Sequence, residues 1–209
     1  MYSNKKWTLI LFFLASFFVT IKLAAQDAKD TISDNVKVKG KYSFVVYAGG
    51  GLFQYMSSVG SSGTGINTSI VRLHPTGTFR VMWFPDHRLR VGIETGYNDF
   101  YSYKLKSGNT TGKVLLTGIP LLVVWSMAIT KRINVYAGIG SYLLTTHLNY
   151  NGKVESKTSG LGLNGSVNYV QPISSKFGIS AELKWTEVTQ TRDYGLSAQL
   201  MLAWKFLEW

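Results

Sequence analysis

The chain of 209 residues contains no cysteine, so it offers no disulfide, no thiolate ligand for a metal and no cysteine for a lipid anchor. Charged residues are also scarce: they make up 16% of the chain, whereas ordinary soluble domains carry roughly 25%. Beyond the N-terminus, no apolar run approaches the ~20 residues of a membrane-spanning helix. A chain of this kind could cross a membrane only as a closed β-barrel, because lipid offers no hydrogen-bond partner to an open sheet edge.

The N-terminus has the layout of a signal peptide. Lys5 and Lys6 form a basic start, residues 7–21 an apolar core, and residues 23–26 (Leu-Ala-Ala-Gln) a cleavage region of small residues. The core is short for a membrane span, so we interpret residues 1–25 as a cleaved signal peptide and not as a retained anchor. We expect cleavage after Ala25 or Gln26, then a short periplasmic segment over residues 26–41 and a barrel domain over residues 42–209.

Short polar breaks recur at nearly equal intervals along the rest of the chain, at residues 85–88, 130–132 and 174–176. Each interval holds two β-like runs separated by a longer polar stretch. These stretches lie at residues 57–67, 104–113, 149–157 and 189–193. The pattern predicts an all-β fold: an eight-stranded antiparallel up-and-down transmembrane barrel with tight turns at one end and longer loops at the other.

Alternation of period two supports this fold, because it places one set of side chains on lipid and the other in the lumen. In the second predicted strand Val71, Leu73, Phe79, Val81 and Trp83 share one face, and Arg72, His74, Thr76, Thr78 and Arg80 share the other. The first, fourth and fifth strands are apolar on both faces, so their orientation stays open. Aromatic residues cluster near the turns and near the loops, as two membrane girdles would require. The alternative, a soluble lipocalin-like barrel, needs no girdles.

Two segments resemble known sequences. The ending Trp204-Lys205-Phe206 resembles the C-terminal assembly signal of bacterial outer-membrane barrels, and the tail after it leaves open whether Phe206 or Trp209 is the terminal recognition residue. Residues 118–122 (Gly-Ile-Pro-Leu-Leu) and 135–140 (Val-Tyr-Ala-Gly-Ile-Gly) resemble the outer-membrane barrel domain of Bacteroidota, including the PorT-like group. The resemblance covers roughly residues 41–206. It implies a porin-like fold in the outer membrane, periplasmic termini and insertion by the barrel assembly machinery.

Side chains fill the interior of an eight-stranded barrel, so charges that point inward need partners. We predict a lumen ion-pair network with Glu94 and Glu182 at similar depth. Its candidate members are Arg72, Arg80, Arg90, Glu94, Glu182, Lys184 and Lys205. We interpret the network as structural, closing the lumen; the functional alternative is an anion path or a gate.

No motif in the sequence indicates catalysis, a cofactor or a metal site. Among the three histidines, His147 is the best placed for a lipid-modifying enzyme, which would need a serine or an acid beside it. His74 and His87 do not have metal-ligand spacing with it. The sequence therefore predicts a non-enzymatic structural, scaffold or accessory barrel acting through its loops and lipid-facing surface. The alternatives are a narrow transporter of small or apolar solutes and a lipid-modifying enzyme.

The expected partners are outer-membrane lipid and other outer-membrane proteins. The predicted loops carry a positive rim, which could pair with lipid phosphates: Lys104, Lys106, Lys113, Lys153, Lys157 and Arg192. Nucleic-acid binding is not indicated, because the basic residues are scattered and the chain is predicted to be exported.

Overall fold

The computed structural model describes residues 42–57, 67–85, 89–107, 110–149 and 153–208, which form one antiparallel β-sheet. Its strands are β1 (Ser43–Tyr55), β2 (Asn67–Val71), β3 (Leu73–Phe84), β4 (Leu89–Ser107), β5 (Thr110–Ala128), β6 (Ile133–Asn149), β7 (Lys153–Pro172), β8 (Phe177–Val188) and β9 (Asp193–Glu208). Within these residues there is no helix long and apolar enough to cross a membrane.

The sheet closes on itself. β2 and β3 both pair with β4 and are separated only by Arg72, so they are two halves of one barrel strand. Every other strand pairs with its neighbours along the chain, and β1 pairs with β9. The predicted eight-stranded antiparallel barrel is therefore confirmed. The predicted signal peptide and N-terminal segment, as well as Trp209, lie outside the described residues.

The two ends of the barrel differ. At the tight-turn end the chain reverses over residues 129–132 and 173–176, where turns were predicted. The third predicted turn, at 85–88, falls between β3 and β4, and its residues 86–88 lie outside the described residues. Thr130 and Ser174 fix the two described turns, because each hydroxyl accepts hydrogen bonds from the backbone N–H groups two and three residues later. Ser43 and Glu208 also lie at this end. We call the opposite end the loop end.

Two of the four predicted loops are mostly strand, which corrects the sequence prediction. β4 and β5 continue to Ser107 and from Thr110, and β6 and β7 continue to Asn149 and from Lys153. These extensions are rich in threonine and serine, which are compatible with strands. In the sequence these extensions resemble loops because the residues of both faces are polar. Polar residues on both faces are expected of a sheet that has water on both sides.

Large apolar side chains cover the outside of the barrel, as expected of a lipid-facing surface. They include Leu52, Phe79, Ile93, Leu121, Ile139, Val167, Leu183 and Leu200, all exposed. The strands whose orientation the sequence left open are now fixed: β1 points Tyr47 and Phe53 inward, β5 points Leu122 inward, and β6 points Tyr142 and Leu144 inward. Apolar as well as polar side chains therefore fill the lumen.

Candidate functional site

Four charged side chains meet in the lumen: Arg80 from β3, Glu94 from β4, and Glu182 and Lys184 from β8. Arg80 lies between the two carboxylates. Its Nε donates to Glu94 Oε2 (2.6 Å), and its Nη1 and Nη2 donate to the two oxygens of Glu182 (2.7 and 2.9 Å). Lys184 Nζ lies 2.8 Å from Glu94 Oε1 and 3.3 Å from Glu182 Oε1. We call these four residues the lumen quartet.

Polar neighbours complete the contacts of the quartet. Thr78 Oγ1 accepts a hydrogen bond from the lysine (2.9 Å), and Asn164 and Asn168 each donate one to a quartet carboxylate (3.0 and 3.2 Å). The arginine guanidinium lies 4.2 Å from the centroid of the Tyr136 ring. All four quartet residues are buried, and their two positive and two negative charges cancel. Each charged group of this neutral cluster has hydrogen-bond partners, which offset part of the desolvation of its charge.

An aromatic layer lies on the loop side of the quartet. Phe53, Phe100 and Tyr142 are fully buried and meet edge to face, with ring centroids 5.4 Å (Phe53–Phe100) and 6.0 Å (Phe100–Tyr142) apart. This arrangement is favourable for aromatic pairs. Gly162 makes room for it, because a Cβ atom at this position would fall on the Tyr142 ring. We call these three rings the aromatic layer.

The structure places the other three predicted network residues apart from the quartet. Arg90 points inward nearer the tight-turn end, where its Nη1 donates to Asn134 Oδ1 (2.8 Å) and its guanidinium lies 4.1 Å from the Phe84 ring centroid. Assigning Arg72 and Lys205 to the lumen network was wrong. Arg72 is exposed at the loop end, where β2 and β3 are interrupted. Lys205 lies at the tight-turn rim, 33% exposed, with its Nζ 3.7 Å from a carboxylate oxygen three residues later.

Sequence reasoning missed a cluster that ties β1 to β9 at the loop end. The Tyr55 hydroxyl is hydrogen-bonded to the Asp193 carboxylate. Ser57 Oγ donates to the carbonyl oxygen of Arg192 (2.9 Å) and accepts from the backbone N–H of Tyr194 (2.7 Å). Arg192 has a φ of 56°, a left-handed conformation that completes the reversal between β8 and β9. No local sequence signal pairs residues this far apart in the chain.

His147 has the acidic neighbour that an enzyme hypothesis requires. Its Nδ1 lies 3.2 Å from Glu155 Oε1, across β6 and β7. The two side chains are 43% and 57% exposed and line an open groove of about 280 Å³ together with Lys113, Leu115 and Val154. An exposed pair of this kind is weakly coupled in water. Among the described residues, no group of three or more potential ligands could hold a metal ion.

Two residues of the predicted assembly signal, Trp204 and Phe206, lie on the last strand at the tight-turn end. Trp204 is exposed and stacks on Phe177, with ring centroids 6.1 Å apart, and it also contacts Phe206. Phe206 in turn packs against Phe44, 5.9 Å away. An exposed aromatic cluster at a barrel rim suits a membrane interface. Recognition of Trp204 or Phe206 by assembly machinery stays a prediction.

Comparison with known proteins gives resemblances of fold. We find no family model that matches the sequence and no curated protein that matches it. Similar solved structures include Ail of Yersinia pestis (10% identity, 80% of this chain and 99% of that chain, TM-score 0.43). OprG from Pseudomonas aeruginosa (10%, 80% and 94%, 0.43) and the protease OmpT from Escherichia coli (7%, 84% and 99%, 0.41) are also similar. Likenesses at this level do not indicate an activity.

Proposed function

We propose that this chain is an outer-membrane barrel that serves as a non-enzymatic structural, scaffold or accessory subunit and does not conduct solutes. The observation that carries the proposal is that two layers of buried side chains fill the lumen. The neutral lumen quartet and, on its loop side, the aromatic layer of Phe53, Phe100 and Tyr142 are both buried. In a barrel of eight strands, two such layers leave no room for a water-filled path.

The location in the outer membrane rests on the surface of the barrel. A band of exposed leucine, isoleucine, valine and phenylalanine surrounds it, and three of the exposed tryptophans (Trp83, Trp125 and Trp204) lie towards the tight-turn end. We place the tight-turn end and both termini in the periplasm and the loop end outside the cell. Membership of the PorT-like group of Bacteroidota is part of this proposal. Fractionation of cells, together with slower gel migration after boiling, tests the location.

Conductance in planar bilayers tests the sealed lumen. We expect pure protein to give no stable, selective single-channel steps. Steps of constant size from the wild-type protein would refute the proposal. Their loss in an Arg80→Ala or Arg90→Ala variant would then place the path in the lumen.

The His147–Glu155 pair favours a second candidate, a lipid-modifying enzyme. The pair lies on the outer sheet extension beside a groove, where a histidine could act as a general base. Hydrolysis of phospholipid vesicles by pure protein, abolished by His147→Gln, would favour the enzyme over the scaffold. We expect no hydrolysis. A transporter of apolar solutes would need a continuous lumen or a lateral opening between strands. An uncharged solute carries no current, so its uptake into vesicles that contain the protein tests this alternative.

A further inference from the structure

The strands at the loop end have unequal lengths, and this leaves part of β7 without a neighbouring strand on one side. β8 pairs with β7 only between Gly162 and Pro172. Residues 153–160 of β7 continue beyond β8 and pair with β6 alone. In the part of the chain that the structure describes, no strand lies on their other side. This segment, which we call the β7 edge, extends for about 26 Å at roughly 3.3 Å per residue.

Backbone hydrogen bonds show which groups of the β7 edge are free to pair. Both polar groups of a strand residue point to the same neighbour, and the side alternates along the strand. Val170 donates its N–H to Arg132, on the β6 side, whereas Leu161 accepts from Thr189, on the β8 side. Even-numbered residues of β7 therefore bond to β6, and odd-numbered residues point away from it. The β6–β7 register contains no shift, so the alternation continues unchanged to residue 153. The free groups of the β7 edge are therefore the N–H and C=O of residues 155, 157 and 159.

The β7 edge is exposed and polar. Residues 154–159 are all solvent-exposed, and Val154 is the one large apolar side chain among them. Unpaired edges are templates for added strands, and lysines on them discourage indiscriminate pairing. Lys157 occupies this protective position. An edge of this kind selects its partner by charge and backbone bonding, and not by apolar contact.

The charge of the β7 edge is positive. Residues 153–160 contain two lysines and one acid, Glu155, so their formal net charge is +1; Glu155 Oε1 also lies 3.2 Å from His147 Nδ1 on β6. Lys153 and Lys157 lie on the same strand, and Lys113 lies two strands away, in the cross-strand row that runs through Asn149 to position 153. Among the described ion pairs none involves Lys113 or Lys157. An incoming strand would therefore gain from a carboxylate opposite Lys157.

We propose that the β7 edge is a docking site at which an extended, acidic segment of another polypeptide adds as a further strand. Its backbone would pair with the free groups of residues 155, 157 and 159, and one of its carboxylates would lie opposite Lys157. The proposal rests on the proposed function, because it names where a scaffold barrel would hold its partner. It can fail while the lumen remains sealed, so the two failures are distinguishable.

Proline substitution separates backbone pairing from charge. Lys157→Pro removes one free N–H without touching a β6–β7 hydrogen bond, whereas Lys157→Ala removes the charge and keeps the N–H. The probe is a labelled ten-residue peptide of alternating threonine and glutamate, and a threonine–lysine peptide is the control. Binding to the detergent-solubilised full chain is measured by fluorescence anisotropy. Amide hydrogen exchange at residues 155, 157 and 159 reports where the peptide pairs.

We expect the acidic peptide to slow exchange at these three amides and the basic peptide to leave them unchanged. Lys157→Pro should weaken binding at least tenfold at any salt concentration. Lys157→Ala should weaken it less, and the difference from wild type should shrink as salt rises. Unprotected amides at millimolar acidic peptide would overturn the proposal. So would amides already protected in the free chain, because the protein's own residues would then cover the edge.

Discussion

Replacement of Glu94 by glutamine tests the energetics of the lumen quartet. The substitution keeps the shape of the side chain but removes one of two buried negative charges, so the quartet changes from neutral to a net charge of +1. Removing one partner of a buried ion pair leaves an uncompensated charge and costs about 3–5 kcal/mol. The glutamine oxygen can still accept one hydrogen bond from Lys184 or Arg80, so we expect a loss near 3 kcal/mol.

The measurement is the free energy of unfolding in lipid vesicles, from urea titrations followed by tryptophan fluorescence. Glu155→Gln is the matched control, because Glu155 is 57% exposed and its loss should change stability by less than about 0.5 kcal/mol. Adding Lys184→Met to Glu94→Gln restores neutrality and keeps the bidentate pair of Arg80 with Glu182, so most of the lost stability should return. If Glu94→Gln behaves like Glu155→Gln, the quartet does not stabilise the barrel as argued.

Three further outcomes follow from the packing. Leu183→Arg, on the lipid-facing surface of β8, should destabilise the barrel by about 2–4 kcal/mol, whereas Ser159→Arg on the outer extension should cost less than about 1 kcal/mol. Gly162→Ala should cost about 1–3 kcal/mol through overpacking, whereas Gly165→Ala should be tolerated, because its Cβ would meet no atom within 4 Å. Phe100→Ala should cost about 3–5 kcal/mol by opening a cavity in the aromatic layer. Urea titration of each variant checks these values. Equal stability of the two variants in either pair, or a Phe100→Ala variant as stable as the wild type, would contradict the packing argument.

The architecture was predictable because the period-two alternation and the regular spacing of the polar turns are enough to indicate a barrel. The turns at 130–132 and 174–176 contain the hydroxyl residues Thr130 and Ser174, which bond to the turn backbone and are visible in the sequence. Alternation likewise assigns Glu94 and Glu182 to the inward face, and the structure has both there. Inward position and similar depth are enough to bring opposite charges together in a lumen this narrow.

The sequence could not show the orientation of some strands or the full length of others, because both depend on where along the barrel the lipid ends and water begins. β5 and β6 are apolar on both faces because one face meets lipid and the other packs around the aromatic layer, so alternation carries no information there. The extensions of β4 to β7 are polar on both faces because both meet water, and so they resemble loops. The prediction for Arg72 was wrong for the same reason. Arg72 continues the inward alternation of its strand but lies beyond the lumen, where an inward-facing position is not buried.

The two layers of the lumen are held by different physical forces, which is why we propose that the protein acts through its loop end. The quartet is held by charge pairs that bulk salt screens little, because they are buried. The aromatic layer is held by packing, which neither pH nor salt weakens greatly. No single signal would loosen both. Residues 153–160, in contrast, make no contact on which closure of the barrel depends, because β7 pairs with β8 only from Gly162 onward. Their sequence is therefore free to follow the needs of a partner while the barrel beneath stays rigid.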